Sequence, residues 1–162
     1  MNSIQHALMI AARQHIEERR QTNDASLEAA ALWVEHLDDL FNSIKLWISP
    51  LEGLEGFSLK EIDCSYTATD SSDRENQING RGLSLAFFDT EIRVTPWDFQ
   101  VGGSLMTAKG VVQVFGKGLA APYQIHYNDG IFEKMTNGSN ELNFGELLFT
   151  QVLADEVQKL KP

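Results

Sequence analysis

Cysteine is almost absent from this chain of 162 residues, which contains Cys64 alone. A single cysteine excludes an internal disulfide framework, and paired-cysteine metal motifs are missing as well. The four histidines do not occur in H-E-x-x-H or H-x-H spacing, so the sequence predicts no zinc site. We therefore expect neither a metal ion nor a cofactor.

Positive charge is also scarce, because 13 lysine and arginine residues stand against 23 aspartate and glutamate residues, for a net charge of −10. Nucleic-acid binding needs clustered basic side chains opposite phosphates, and the only cluster is the pair Arg19 and Arg20. Nucleic acid is thus excluded as a ligand. The excess of acidic over basic residues is concentrated in residues 51–100, where 4 basic and 10 acidic residues give a net charge of −6.

Long apolar segments are missing too. The most apolar stretch, residues 27–48, is interrupted by five charged residues, so it predicts no membrane-spanning helix. The first twenty residues lack the basic leader of a signal peptide, which favours a cytoplasmic protein. At this length, and with 43% hydrophobic residues, we expect a single domain over residues 1–162.

Two helices are predicted in the first third of the chain. Asn2 is suited to cap the first helix, with Gln5 three residues later, and a break is expected at residues 23–26. In the second helix, apolar residues recur at steps of three and four until Pro50 ends it. The main stripe is Leu27, Ala30, Val34, Leu37, Phe41, Ile44 and Ile48, flanked by Trp33, Leu40 and Trp47. This wide arc predicts contacts on two sides, with the sheet and with another helix or a second subunit.

Alternating apolar and polar residues from Phe57 to about Met135 predict strands. Within them, the Asp129-Gly130 pair predicts a two-residue hairpin turn.

A last helix follows the strands, with Asn143 as its predicted N-cap and Leu142 and Leu147 as a hydrophobic staple. The predicted fold is therefore α+β. It has two N-terminal helices, an antiparallel meander of five to six strands, and one C-terminal helix packed on one sheet face.

The segment GVVQVFGKG, residues 110–118, approaches the phosphate-binding pattern G-x-x-x-x-G-K-[ST]. Its two glycines before the lysine are one residue too far apart, and Gly118 stands where a hydroxyl is needed. The apolar, β-branched residues between the glycines favour a strand. We therefore predict a strand that ends in a turn, with no nucleotide site.

His126 and Glu133 are predicted to face each other across the Asp129-Gly130 hairpin. Such a pair resembles a general base with its orienting carboxylate, but an ordinary cross-strand ion pair is the favoured interpretation. Cys64 lies at an alternating strand position close to the acidic residues Glu61 and Asp63, which indicates a packed thiol and not a nucleophile.

An acidic segment and a loop tryptophan provide the candidate binding residues. The spacing of the acids from Asp70 onward does not match a calcium loop, and a solvated loop or a contact surface for a basic protein explains it better. Trp97, after Pro96, is either folded onto the core, which we favour, or exposed as a binding anchor. The candidate partner-binding residues are Asp63, Asp70, Asp73, Glu75, Trp97 and Asp98.

These observations favour a non-enzymatic, acidic protein-binding module that engages a basic protein. Size, acidity and element order are compatible with bacterial immunity proteins and small secretion chaperones as classes, without a shared motif. One alternative is a small-molecule-binding protein or enzyme whose pocket lies between sheet and helices and uses His126 and Glu133. A second alternative is a homo-oligomer, such as a homodimer, formed through the second helix or the C-terminal helix.

Overall fold

The computed structural model of the chain describes residues 2–102, 107–117, 119 and 121–159, apart from the side chain of Asn23. A long helix leads, a sheet of seven strands follows, and a shorter helix comes last. The helices are α1 (Ser3–Ile48) and α2 (Glu146–Gln158), and a 3-10 turn (Ser49–Leu51) follows α1. The strands are β1 (Phe57–Thr69), β2 (Glu75–Phe87), β3 (Thr90–Gly102), β4 (Thr107–Gly116), β5 (Tyr123–Asn128), β6 (Ile131–Asn137) and β7 (Asn140–Asn143). The predicted α+β class is confirmed.

The two predicted N-terminal helices are present, but they are joined into the single continuous helix α1. Asn2 caps it as predicted, since its side chain accepts the Gln5 amide hydrogen bond while the Gln5 side chain accepts from Asn2. The expected break at residues 23–26 does not occur. Strong helix formers surround that polar run, with Ala25 inside it and Leu27 and Glu28 directly after it, so the helix continues.

The buried face of α1 differs in phase from the predicted stripe. Leu27 and Val34 were expected inside but are 71% and 47% exposed. Trp33, expected at the flank, is 1% exposed. The buried side chains of this helix are Trp33, Leu37, Leu40, Phe41, Ile44 and Ile48.

The seven strands follow one another in sequence order, each antiparallel to the next. The meander has more strands than the five to six predicted. The short strand β7 is exposed along its whole length, so it lacks the apolar alternation from which a strand is predicted. The Asp129-Gly130 turn is confirmed, with φ values of 45° and 95° that suit a two-residue hairpin.

Strands β1 and β2 form a twisted two-stranded ribbon, and each of the two strands pairs with a different part of β3. The last residues of β2, Leu83–Phe87, pair with the start of β3. Farther along, β1 replaces β2 and pairs in parallel with β3, with Thr67 opposite Asp98. Gly82 permits the crossing, because a Cβ atom there would lie 2.7 Å from the carbonyl oxygen of Val94.

Both helices contribute to one core on the inner face of the sheet. Trp47 of α1 lies 5.9 Å, ring centroid to ring centroid, from Phe149 of α2, so the predicted contact of α1 with both sheet and helix is confirmed. The start of α2 corrects the prediction, since Gly145 and not Asn143 precedes it and no side chain caps it. Leu142 and Leu147 are exposed and form no staple.

Candidate functional site

A β-bulge in β3 determines which side chains face solvent on the outer face of the sheet. Pro96 pairs with Val112 and Asp98 pairs with Val111, so Trp97 is the extra residue. A bulge leaves its additional residue outside the ladder and re-aims the side chain. Trp97 is 56% exposed, so the favoured interpretation of a core tryptophan is wrong.

The bulge also shifts the side-chain alternation of β3. Before it, Ile92 and Val94 face the core, whereas after it Phe99 and Val101 do so. Asp98 and Gln100 consequently project from the outer face. On this face, the parallel pairing of β1 with β3 places Asp98 beside Thr67 and Gln100 beside Thr69.

Two parallel rows of side chains result on the outer face. The pairings align Glu75, Thr69, Gln100, Lys109 and Asn128 in one row. They align Gln77, Thr67, Asp98, Val111 and His126 in the other. Neighbouring strands lie about 4.8 Å apart, so each row extends across five strands over about 19 Å.

A groove of about 400 Å³ lies at the acidic end of these rows. We call it the Trp97 groove, and its lining includes Thr67, Glu75, Gln77, Trp97, Asp98 and Gln100. The amide of Gln77 donates to the Thr67 hydroxyl at 2.9 Å, and the amide of Gln100 donates to Asp98 Oδ2 at 3.0 Å. These bonds orient the polar groups of the groove. The indole and the two carboxylates define its chemistry.

A second groove, of about 330 Å³, adjoins the first and shares Asp98 and Gln100 with it. His126 and Glu133 line this groove, but they are not paired as predicted. A register shift follows His126, so His126 lies opposite Lys134 while Tyr127 lies opposite Phe132 as expected. The ring of His126 hydrogen-bonds the Thr136 hydroxyl at 2.8 Å, and Glu133 accepts from Asn128 at 3.4 Å.

His126 also lies on the opposite side of the sheet from the helices. It pairs with Val111, whose neighbours Gly110 and Val112 face the core. The expected pocket between sheet and helices that uses His126 and Glu133 is therefore not formed by these residues.

The other three predicted partner-binding residues do not line the Trp97 groove; they are Asp63, Asp70 and Asp73. The acidic segment that begins at Asp70 forms a five-residue turn between β1 and β2, in which Asp70 Oδ1 accepts the backbone N–H groups of Ser72 and Arg74 at 2.9 and 3.1 Å. Asp73 is exposed in this turn with φ 60°. Asp63 is exposed on β1 opposite Arg81 and does not line the groove.

A separate polar cleft of about 230 Å³ lies between α1 and the β1–β2 ribbon. Lys45 of α1 hydrogen-bonds Glu61 of β1, and Arg81 Nη1 lies 4.0 Å from the other Glu61 oxygen. The hydrogen bond and the charge of Lys45, with a smaller effect of Arg81, hold the pKa of Glu61 below its ordinary value. These ion pairs connect α1 to the β1–β2 ribbon, since Glu61 pairs with both Lys45 and Arg81.

The parts of the chain that the structure describes contain no group of three or more histidine, cysteine, aspartate or glutamate side chains arranged to hold a metal ion. Among those same residues, no helix is both long enough and apolar enough to span a membrane. Comparisons of the chain with protein-family models, curated proteins and solved structures found no match.

Proposed function

We propose that this chain is a non-enzymatic protein-binding module and that the Trp97 groove receives a basic segment of its partner. The observation that carries the proposal is the meeting of Glu75, Trp97 and Asp98 in one groove on the outer face. These residues are separated by up to 23 positions in sequence, and the bulge and ribbon crossing bring them together.

The chemistry of the groove suits arginine and lysine side chains. An exposed indole face attracts a cation, and arginine in particular stacks on it. Carboxylates beside the ring accept charge-assisted hydrogen bonds from the same group. Tryptophan is also enriched among the few residues that contribute most of the binding energy of an interface.

The net charge of −10 supports a basic partner for a second reason. Complementary charge speeds the encounter of two proteins and disfavours partners of the same sign. A role of the kind filled by immunity proteins or small secretion chaperones agrees with this chemistry, since both classes act by binding another protein.

Tryptophan fluorescence tests the proposal directly, because Trp97 is exposed while Trp33 is buried and Trp47 is half-buried. We expect an arginine-rich peptide to change the emission at low salt and to act more weakly at high salt, since salt screens exposed charges. A glutamate-rich peptide of equal length should leave it unchanged. An equal response to both peptides would contradict the proposal.

Matched variants then locate the binding. Asp98→Asn and Glu75→Gln each remove a groove carboxylate, and Glu52→Gln removes an exposed one in the loop before β1. Capture of a protein from cell extract at low salt should weaken for the first two variants and persist for the third. Equal capture by all three variants would place the partner elsewhere on the chain.

A further inference from the structure

The Trp97 groove and the second groove, which is lined by His126 and Glu133, form one continuous surface on the outer face of the sheet. They adjoin each other and have Asp98 and Gln100 in common. We call the two grooves together the outer trough. A segment of a partner that enters the Trp97 groove and continues across the strands therefore meets the second groove as well.

Charge is distributed unevenly along the outer trough. Glu75 and Asp98 lie on either side of β1, since Glu75 pairs with Thr69 and Asp98 pairs with Thr67. The exposed indole of Trp97 lines the same groove, and none of the lining residues described for this groove is basic. This end of the trough therefore offers two carboxylates and an aromatic ring to a cation over β1.

Lys109 is the only lysine or arginine among the described residues that line the outer trough. It is exposed on β4, between Gln100 of β3 and Asn128 of β5, and none of the described ion pairs involves it. The two carboxylates of its groove already accept amide hydrogen bonds. Asp98 accepts from Gln100 at 3.0 Å, and Glu133 accepts from Asn128 at 3.4 Å. The ammonium group of Lys109 can therefore pair with a group of another molecule.

The position of Lys109 restricts which basic segment fits the outer trough. A segment that is basic along its whole length would bring a second cation against Lys109, and like charges in contact disfavour a complex. A carboxylate at the same position would accept a charge-assisted hydrogen bond. We propose that the partner segment is dipolar, with a basic side chain in the Trp97 groove and an acidic side chain on Lys109. This inference rests on the proposed function and names the residue that selects the segment.

The distance between the two sites sets the spacing of the two charges. The cation lies over β1, and Thr69 of β1, Gln100 of β3 and Lys109 of β4 follow one another in one row. Lys109 is therefore two strand spacings, about 10 Å, from the cation. An extended chain advances about 3.3 Å per residue, so the acidic and basic side chains are about three residues apart. The outer trough thus selects for both the sign and the spacing of the charges.

Two capped peptides test the proposal. In the dipolar peptide, one glycine separates two arginines from two glutamates, and in the reference peptide glutamines replace the glutamates. Each peptide is also made with its two ends exchanged, because the segment can run in either direction across the sheet. The change in Trp97 emission gives a dissociation constant for each peptide. Measurements at about 0.1 M salt screen charges that are more than about 10 Å apart.

Charge reversal at Lys109 should affect the two peptides differently. In one of the two directions, Lys109→Glu should weaken binding of the dipolar peptide at least about threefold relative to the reference peptide, because an exposed attraction becomes a repulsion. The matched control Lys117→Glu makes the same change in net charge at an exposed position directly after β4, outside the lining of the trough. It should change this ratio by less than about 1.5-fold. Lys109→Gln, which adds no repulsion, should give a smaller effect of the same sign.

The possible failures are distinguishable. If neither peptide changes the emission of the natural protein, binding in the Trp97 groove itself is contradicted. If both peptides bind and Lys109→Glu changes the ratio no more than Lys117→Glu does, a basic segment binds the groove without an acidic contact to Lys109, and only the dipolar segment is overturned. Both lysines are exposed, and the near-ultraviolet signal of buried Trp33 should be retained in every variant.

Discussion

Gly110 of β4 lies directly beneath the indole ring of Trp33 in α1. A Cβ atom at Gly110 would be 2.5 Å from Cζ3 of that ring. The ring also stacks on Phe99, with centroids 5.0 Å apart and planes at 17°, and meets Tyr127 edge-on with centroids 4.9 Å apart. Trp33 is therefore the point at which the helix docks on the sheet.

Gly110→Ala should destabilise the protein by about 1–3 kcal/mol, because the added methyl group overpacks the site and displaces the ring of Trp33. The matched control is Gly102→Ala in β3, where an added Cβ meets no atom of the described residues within 4 Å. The control should change stability little. Urea denaturation of the two variants measures the difference, and equal midpoints would contradict the docking role of Gly110.

Tyr127→Phe should lower stability by about 0.5–1.5 kcal/mol, because it removes one hydrogen bond. The buried hydroxyl of Tyr127 lies 2.7 Å from Nδ1 of His36 and links β5 to α1. Tyr123→Phe is the control, since no described hydrogen bond involves the Tyr123 hydroxyl. Thermal denaturation should separate the two variants, and indistinguishable curves would show that the bond contributes nothing.

Glu91→Gln should reduce the dependence of stability on acid pH. Arg93 at 2.7 Å, and then the Ser84 hydroxyl at 2.8 Å, hold the pKa of Glu91 below its ordinary value of 4.5. A lowered pKa in the folded state means that the stabilisation is complete above 4.5 and is lost as the pH falls through the folded-state pKa.

The pair is partly exposed, so at pH 7 we expect the Glu91→Gln variant to lose only about 0.2–1 kcal/mol. The urea midpoints of the natural protein and the variant should differ at pH 7. They should converge as the pH falls below 4.5 and Glu91 becomes protonated. Glu52→Gln serves as the control. A difference that grows toward acid pH would contradict the assignment.

Cys64 should react slowly with iodoacetamide in the folded protein. Partial burial, and then the charge of Asp63, raise the pKa of its thiol, so little thiolate is present at neutral pH. Denaturation removes the burial and should accelerate the reaction. Mass spectrometry of samples with and without urea follows the modification, and equal rates would contradict this environment.

Local chemistry made several features of the fold predictable. The cap at Asn2 and the Asp129-Gly130 turn depend only on residues a few positions apart, and both are present. The continuity of α1 was missed because potential capping residues also occur inside helices whose neighbours favour the helical state. The buried face of α1 could not be predicted from local sequence, because Trp33 is positioned by contacts with strands that are distant in the sequence.

The candidate site was only partly predictable, because it depends on two irregularities that no local pattern indicates. The bulge exposes Trp97, and the ribbon crossing brings Glu75 toward Asp98. Charge indicated Glu75 and Asp98, and the position after Pro96 indicated Trp97, but no local pattern showed that the three residues meet. Gln77 and Gln100 were missed, although Gln100 lies two positions after Asp98, the spacing of one strand face.

The long sequence separation between Trp33 and its contacts has a consequence for synthesis on the ribosome. Its contacts Phe99, Gly110 and Tyr127 are translated up to 94 residues later. At about 5–20 residues per second, the nascent helix waits roughly 5–20 s with its apolar face uncovered. During that interval the apolar face of the helix lacks its native partners, and transiently exposed surface of this kind is prone to aggregation.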